Sequence, residues 1–209
     1  MKKNNKLSEY LVKHWHFYVI WLVLVLFVWE LLFATITAPK KEKTVRIFIA
    51  AFEVDDTALK ERLSTDKSDY LKNVDIYALS PALPQFYTLF ETHGLLDSDV
   101  LILPENVYTE GDYFTQFARI IDKEYFAGFY SGAVYLEKDG KAYGIKVFDG
   151  ITKTGIAEDY VSYTYENFKN EDYFLFFNKR SLHTGKLSES ELDGAIKLAA
   201  DYLRLINES

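Results

Sequence analysis

The sequence predicts one membrane-spanning helix followed by a three-layer α/β domain with a mainly parallel sheet. Three observations lead there. Residues 17–38 are about 22 in number and carry a single charge, Glu30, which matches the length of a membrane helix. From residue 45 to 103, short apolar runs alternate with helix-like segments, the pattern of strands joined by crossover helices. Further on, Lys138-Asp139-Gly140 separates two strand-like runs, and Asp-Gly is a strong signal for a tight hairpin.

As a helix, residues 17–38 would be ~33 Å long, close to the ~30 Å of a bilayer's hydrocarbon core. A soluble core helix rarely stays apolar on every face for this long. The preceding flank, residues 1–16, holds Lys2, Lys3, Lys6 and Lys13 against Glu9. That excess of positive charge predicts a cytoplasmic N-terminus, with residues 45–209 outside. Trp15 and Trp21 lie towards the inner side, where amphipathic rings prefer the interface. The apolar run is longer than the core of a secretory signal peptide, and its nearest small-x-small site, Ile36-Thr37-Ala38, is followed by Pro39. An uncleaved signal anchor is the expectation. No cysteine is present, so no lipid on a thiol can share the task.

Glu30 lies in the outer half of the span. A carboxylate in a membrane helix costs roughly 2.5–3.5 kcal/mol at the centre and less near an interface. It either reaches the outer headgroups or makes a polar contact with the transmembrane helix of a partner.

The whole chain has 209 residues and a net charge of −7. Setting aside the basic flank and Glu30 leaves about −9 on the remainder, which argues against nucleic acid and anionic membrane surfaces as partners. The absence of cysteine excludes disulfides and thiolate chemistry. Aromatic residues make up 17% of the chain, with 16 Tyr and 16 Phe. They suit an aromatic core, with a sugar-stacking platform or a protein interface as the alternatives.

In chain order, residues 39–44 form a short charged linker. The first strand, 45–52, is nearly continuously apolar, as a strand buried on both faces should be. Asp55 or Asp56 then caps a helix beginning near Thr57. A second strand, 74–79, stops at Ser80-Pro81. A helix over 84–93 carries Phe86, Leu89 and Phe90 on one face, with Gly94 to close it. A third strand, 100–103, stops at Pro104. Residues 114–121 read as helix, 133–147 as the hairpin, and 173–177 as another buried strand. Residues 149–172 give no clear period. Ser188 and Glu191 form a capping box before a helix whose Leu192, Ala195, Ile196, Ala199, Leu203 and Ile206 recur at helical spacing.

Catalytic and metal-binding signals are weak, and neither a catalytic residue, a metal nor a cofactor is expected. Gly128-Phe129-Tyr130-Ser131-Gly132 lacks the spacing of a nucleophile elbow. His93 reads as a helix C-terminal residue and His183 as a loop residue, neither in a metal motif. The acidic pairs Asp55-Asp56, Asp97-x-Asp99, Glu158-Asp159 and Glu171-Asp172 read as caps and solvated loops. In an open parallel sheet, ligands bind beyond the carboxyl ends of the strands. Any ligand site is therefore expected at Glu53, Asp55, Glu105 and Asn106, with Tyr108 or Tyr130 alongside.

Three segments resemble the first lobe of the type 2 extracellular solute-binding proteins, the receptors of carbohydrate ABC transporters. Asp99-Val100-Leu101-Ile102-Leu103-Pro104 is similar to that family's aspartate, apolar strand and proline. Gly140-Lys141-Ala142-Tyr143-Gly144-Ile145 is similar to its G-K-x-Y-G-I segment, and Phe176-Phe177-Asn178-Lys179 to its Y-Y-N-K strand. Lys146 departs from the proline usual there. The order of segments covers most of residues 45–205. In that family the Asn-Lys strand leads into a second lobe, whereas this sequence stops at Ser209. The resemblance thus implies the fold of one lobe without the clamp that closes over a sugar. The expectation is a non-enzymatic, membrane-anchored accessory or binding subunit associated with transporter permease subunits, with weak sugar binding at most. The alternatives are an envelope interaction or scaffold protein without a ligand, and a signal-anchored envelope enzyme.

Overall fold

The computed structural model describes residues 4–37, 44–65, 73–108, 112–127, 132–155, 161–162, 171–181 and 183. The expected helix over 188–206, the loop around Tyr130 and the pair Glu158-Asp159 lie outside the described residues. The chain divides into two compact units, Met1–Lys40 and Lys41–Ser209.

The first unit is α1, Asn4–Thr37, a helix of 34 residues with a kink at His14 (φ −116°, ψ 16°). Its stretch Val12–Thr37 is long and apolar enough to cross a membrane, and none of its apolar window is buried within the protein. A signal sequence meets the same test of length and composition. Side chains from Phe17 to Phe33 are exposed all round, so the helix has no packed face to explain its apolar character. The helix starts well before residue 17, where the apolar run begins.

The second unit contains β1 (Thr44–Ile49), β2 (Glu53–Val54), α2 (Asp56–Thr65) and β3 (Asn73–Ala78). Next come α3 (Phe86–Leu89), which runs into a π-helical turn at Phe90–Leu95, then β4 (Val100–Pro104), α4 (Glu105–Tyr108), α5 (Phe114–Phe117) and α6 (Lys123–Ala127). The hairpin β5 (Tyr135–Lys138) and β6 (Lys141–Phe148), then β7 (Val161–Ser162) and β8 (Tyr173–Phe177), complete it. Six strands form one sheet in the order β3-β1-β4-β8-β6-β5, and β2 pairs with β7 in a small second sheet.

The expected parallel sheet is only its first half. β1 is parallel to both β3 and β4, but β8 is antiparallel to β4 and β6, and β5 to β6. The fold is therefore mixed α/β. All five residues of β8 are buried, which requires neighbours on both edges and layers on both faces. Late in the sequence, it enters the middle of the sheet.

Alternation along the strands feeds two separate cores. Val45, Ile47 and Ile49 of β1 join one cluster with Leu59 and Leu63 of α2 and Phe126 of α6. Phe48 and Ala50 join the other, with Phe86, Phe90, Tyr108, Phe114, Phe117 and Phe176. Leu59 and Leu63 are four apart, so one face of α2 meets the sheet. The second cluster is a connected set of rings. Phe86 stacks on Phe90 at 5.8 Å, Phe90 meets Phe117 edge-on at 6.2 Å, and Tyr108 meets Phe176 at 5.0 Å. Much of the sequence's aromatic excess goes here.

The Asp139-Gly140 turn forms as expected. Asp139 and Gly140 both have positive φ, 51° and 73°, and Lys138 pairs with Lys141 across the loop. This is the backbone twist that a two-residue hairpin requires. Other boundaries differ. β1 ends at Ile49, with Phe52 already 45% exposed. The expected helix over 84–93 is one α-turn that widens into the π-turn. Gly94 does not end it in a left-handed cap, for its φ is not positive; it lies buried against Phe90 and Phe48. The expected helix over 114–121 stops at Phe117. Ala118 and Ile121 instead bridge to Asn178 and Ala142, and Arg119 N donates to Phe177 O at 2.7 Å. Pairing with two neighbouring segments satisfies that backbone as well as another helical turn would.

Candidate functional site

The carboxyl ends of β1, β3 and β4 point one way, and β8 runs against them. Residues just before β8 therefore share that end with residues just after β4. β6 is antiparallel to β8, so its own end, at Phe148-Asp149, is there too. Five carboxylates from distant parts of the sequence thus belong to this end: Glu53, Glu105, Asp149, Glu171 and Asp172.

The structure joins Glu105 and Asn106, already neighbours in sequence, to Asp172 and Glu171. Glu105 N donates to Asp172 O at 3.0 Å, and Asn106 N lies 3.4 Å from Glu171 Oε2. Both Glu105 and Asn106 are exposed on the single turn α4. Burial raises the Glu171 carboxyl above its ordinary range; the Asn106 N–H opposes this and the charge of Glu105 adds to it. Asp55 has a local role: its Oδ1 accepts from Ala58 N at 2.9 Å and caps α2. Glu53 sits in β2, opposite Ser162 of β7. Tyr108 is not a surface residue of the loop, since it is fully buried among Phe114, Phe174 and Phe176. Its hydroxyl is buried without a hydrogen-bond partner among the described residues. Burial, and then the charges of Glu105, Asp172 and Glu171, push its pKa well above that of a free phenol. Tyr130 lies outside the described residues.

Lys146 organises this end, a role the sequence reading missed. Its Nζ reaches Asp149 Oδ2 at 2.6 Å and Asp172 Oδ2 at 2.7 Å. Asp172 Oδ1 accepts from Gly150 N, and Asp149 Oδ1 from Ile151 N and Thr152 N. Hydrogen bonding from Lys146, then from the Thr152 and Ile151 amides, holds the Asp149 carboxyl well below its usual range. Burial works to lower the pKa of Lys146, but bonding to both carboxylates outweighs it and raises the pKa. The available signal was a lysine inside an apolar strand, Ile145-Lys146-Val147. The cluster joins the exit of β6 to the entry of β8 and uses its charges internally.

The opposite end holds a buried polar knot. Asp99 Oδ2 accepts from Arg46 N at 2.8 Å, and its Oδ1 accepts from the Ser181 hydroxyl. His183 N donates to Ser181 Oγ at 2.9 Å, while His183 Nε2 lies 3.0 Å from Thr44 O. Asn178 Nδ2 donates to both Leu95 O and Ser98 O at 2.9 Å. His183 is a loop residue, as expected, and it is also a buried tie to β1. Its Nε2 faces the Thr44 carbonyl, and its backbone N–H serves the Ser181 hydroxyl oxygen. In the Asp97-x-Asp99 pair, Asp97 forms a surface ion pair with Arg46 at 3.5 Å, and only Asp99 is buried.

Near this knot lies a cleft of about 310 Å³, floored by Leu95, Leu96 and Phe117 and edged by Glu91, Gln116 and Arg180, at the small end of the range for ligand pockets. Among the described residues, no group of three His, Asp or Glu side chains could hold a metal ion. Comparison of the chain with protein-family models, with curated proteins and with solved structures finds no match.

Proposed function

We propose that this chain is a membrane-anchored, extracytoplasmic accessory or binding subunit associated with an ABC-type carbohydrate transporter, and that it acts through protein–protein contacts. The observation that carries the reading is where the three resemblance segments fall. Residues 99–104 overlap β4, residues 140–145 the first part of β6, and residues 176–179 the last two residues of β8; these three strands are consecutive neighbours in the sheet. Short chance matches have no reason to be neighbours in space, whereas parts of one ancestral lobe do. On this reading the sheet and its two cores form the three layers of that lobe, and α1 anchors it with the N-terminus inside. Internal use of Lys146, Asp149 and Asp172 supports a role in contacts over one in sugar capture. The same observation favours the second reading, an envelope scaffold without a ligand.

Two measurements test the proposal. Protease added outside permeabilised-envelope cells should digest residues 45–209 and spare the membrane segment; full protection of the domain overturns the topology. Purification of the full-length protein in mild detergent should recover permease subunits of a transporter. Recovery of other envelope proteins in their place would replace the transporter reading with the scaffold one.

A further inference from the structure

The inference rests on the membrane-anchored reading of α1. Within the apolar stretch, Thr35 Oγ1 donates to Leu31 O at 2.7 Å and Thr37 Oγ1 to Phe33 O at 2.6 Å. Both hydroxyls are therefore served by their own helix. Glu30 has no such partner among the described residues. Seven residues separate it from the helix end at Thr37, which is ~10 Å at the rise of an α-helix. Side chains on a helix lean towards its N-terminus. With the N-terminus inside, the carboxyl of Glu30 leans deeper into the hydrocarbon, away from the outer headgroups. That lean favours a polar contact at this depth over the outer headgroups.

We infer that Glu30 is the contact through which α1 pairs with a membrane-spanning helix of another protein, one that offers a lysine, arginine, histidine or amide donor at the same depth. Ionisable groups inside a bilayer are found facing partners of this kind. A second copy of the chain fits less well while Glu30 is ionised. Two parallel copies would set Glu30 against Glu30, and residues 17–38 contain no Lys, Arg or His to counter it. The face around Glu30 carries Leu26, Phe27 and Phe33, with Ala34 and Thr37 as its small residues, and no small residue on its inner side to let identical helices approach closely along their length.

Photo-crosslinking of the full-length protein in its native membrane tests this. Probes replace Leu26 and Ala34 on the Glu30 face, and Val28 and Leu32 on the opposite face. Adducts to one other protein should form from the first pair only, and the crosslinked segment of that protein should contain a donor side chain. Glu30→Leu should reduce the adduct about tenfold or more, while Glu30→Gln, which still hydrogen-bonds, should retain it. An adduct at twice the chain's own mass, equal labelling from both faces, or an adduct unchanged in Glu30→Leu would overturn the inference. If transporter subunits still copurify when the crosslink fails, association through the domain stands and this inference falls. If the crosslinked protein has no transport role, the inference stands and the transporter reading falls.

Discussion

A methyl group on Gly94 would lie 2.7 Å from Cδ2 of Phe90 and 3.4 Å from Cγ of Phe48. The glycine is there because the π-turn packs tightly against the aromatic core. Gly94→Ala should therefore destabilise the domain by about 1–3 kcal/mol, as overpacking does, and urea unfolding of the full-length protein in detergent would measure it. Asp99 offers a test with a sign. Burial raises its carboxyl above the ordinary range, against the hydrogen bonds from Ser181 and Arg46 N–H and the charge of His183. The folded state thus keeps this proton to higher pH than the unfolded chain does. Its contribution to stability is full below about pH 4, the unfolded value, and is lost as pH rises through the folded one. Asn at this position cannot ionise. The stability of Asp99→Asn relative to the natural protein should rise as pH increases through that window; parallel profiles would show that Asp99 does not titrate there.

At the scale of elements, the end of β6 is tied to the start of β8 by one ammonium group. Lys146→Met removes the bridge to Asp149 and Asp172 and should lower the urea midpoint at neutral pH. Asp149 has a depressed folded pKa, so its contribution is present above the unfolded value and is lost as pH falls through the folded one. The gap between variant and natural protein should therefore narrow below about pH 4. A gap that is constant with pH would mean the lysine acts by packing alone. The same scale shows where periodicity misleads. Residues 114–121 have a helical look, yet only the first turn is helix, because the backbone beyond Phe117 finds partners in Phe177 and Ala142. No local pattern in that stretch records partners 21 and 58 residues away.

For the molecule as a whole, the proposed accessory role predicts weak sugar binding. On the proposed single-lobe reading, groups at the strand ends would meet a sugar on one side only and leave it half hydrated. Each hydrogen bond then nets about 1 kcal/mol, against a loss of translational and rotational freedom of about 4–15 kcal/mol. Titration calorimetry of the full-length protein in detergent, against a panel of mono- and oligosaccharides, should give dissociation constants no tighter than about millimolar. A micromolar value would make the chain a receptor in its own right.

Local sequence was enough for the apolar helix, the buried strands at 45, 100 and 173, the strand at 74, and the Asp139-Gly140 hairpin. These follow from local chemistry: runs of apolar residues of strand or helix length, and a turn that needs two positive φ angles. It also located the acidic strand ends that hold Glu53, Glu105 and Asn106. Tertiary packing was needed to place β8 in the middle of the sheet and turn half of it antiparallel. It alone buried Tyr108, His183 and Asp99, gave Gly94 a packing role, and made Lys146 a bridge between two distant carboxylates. Strand order and burial of polar groups depend on which segments far apart in the chain become neighbours. That choice is made by the pooled burial of two cores and the pairing of every backbone group, and no window of sequence contains it.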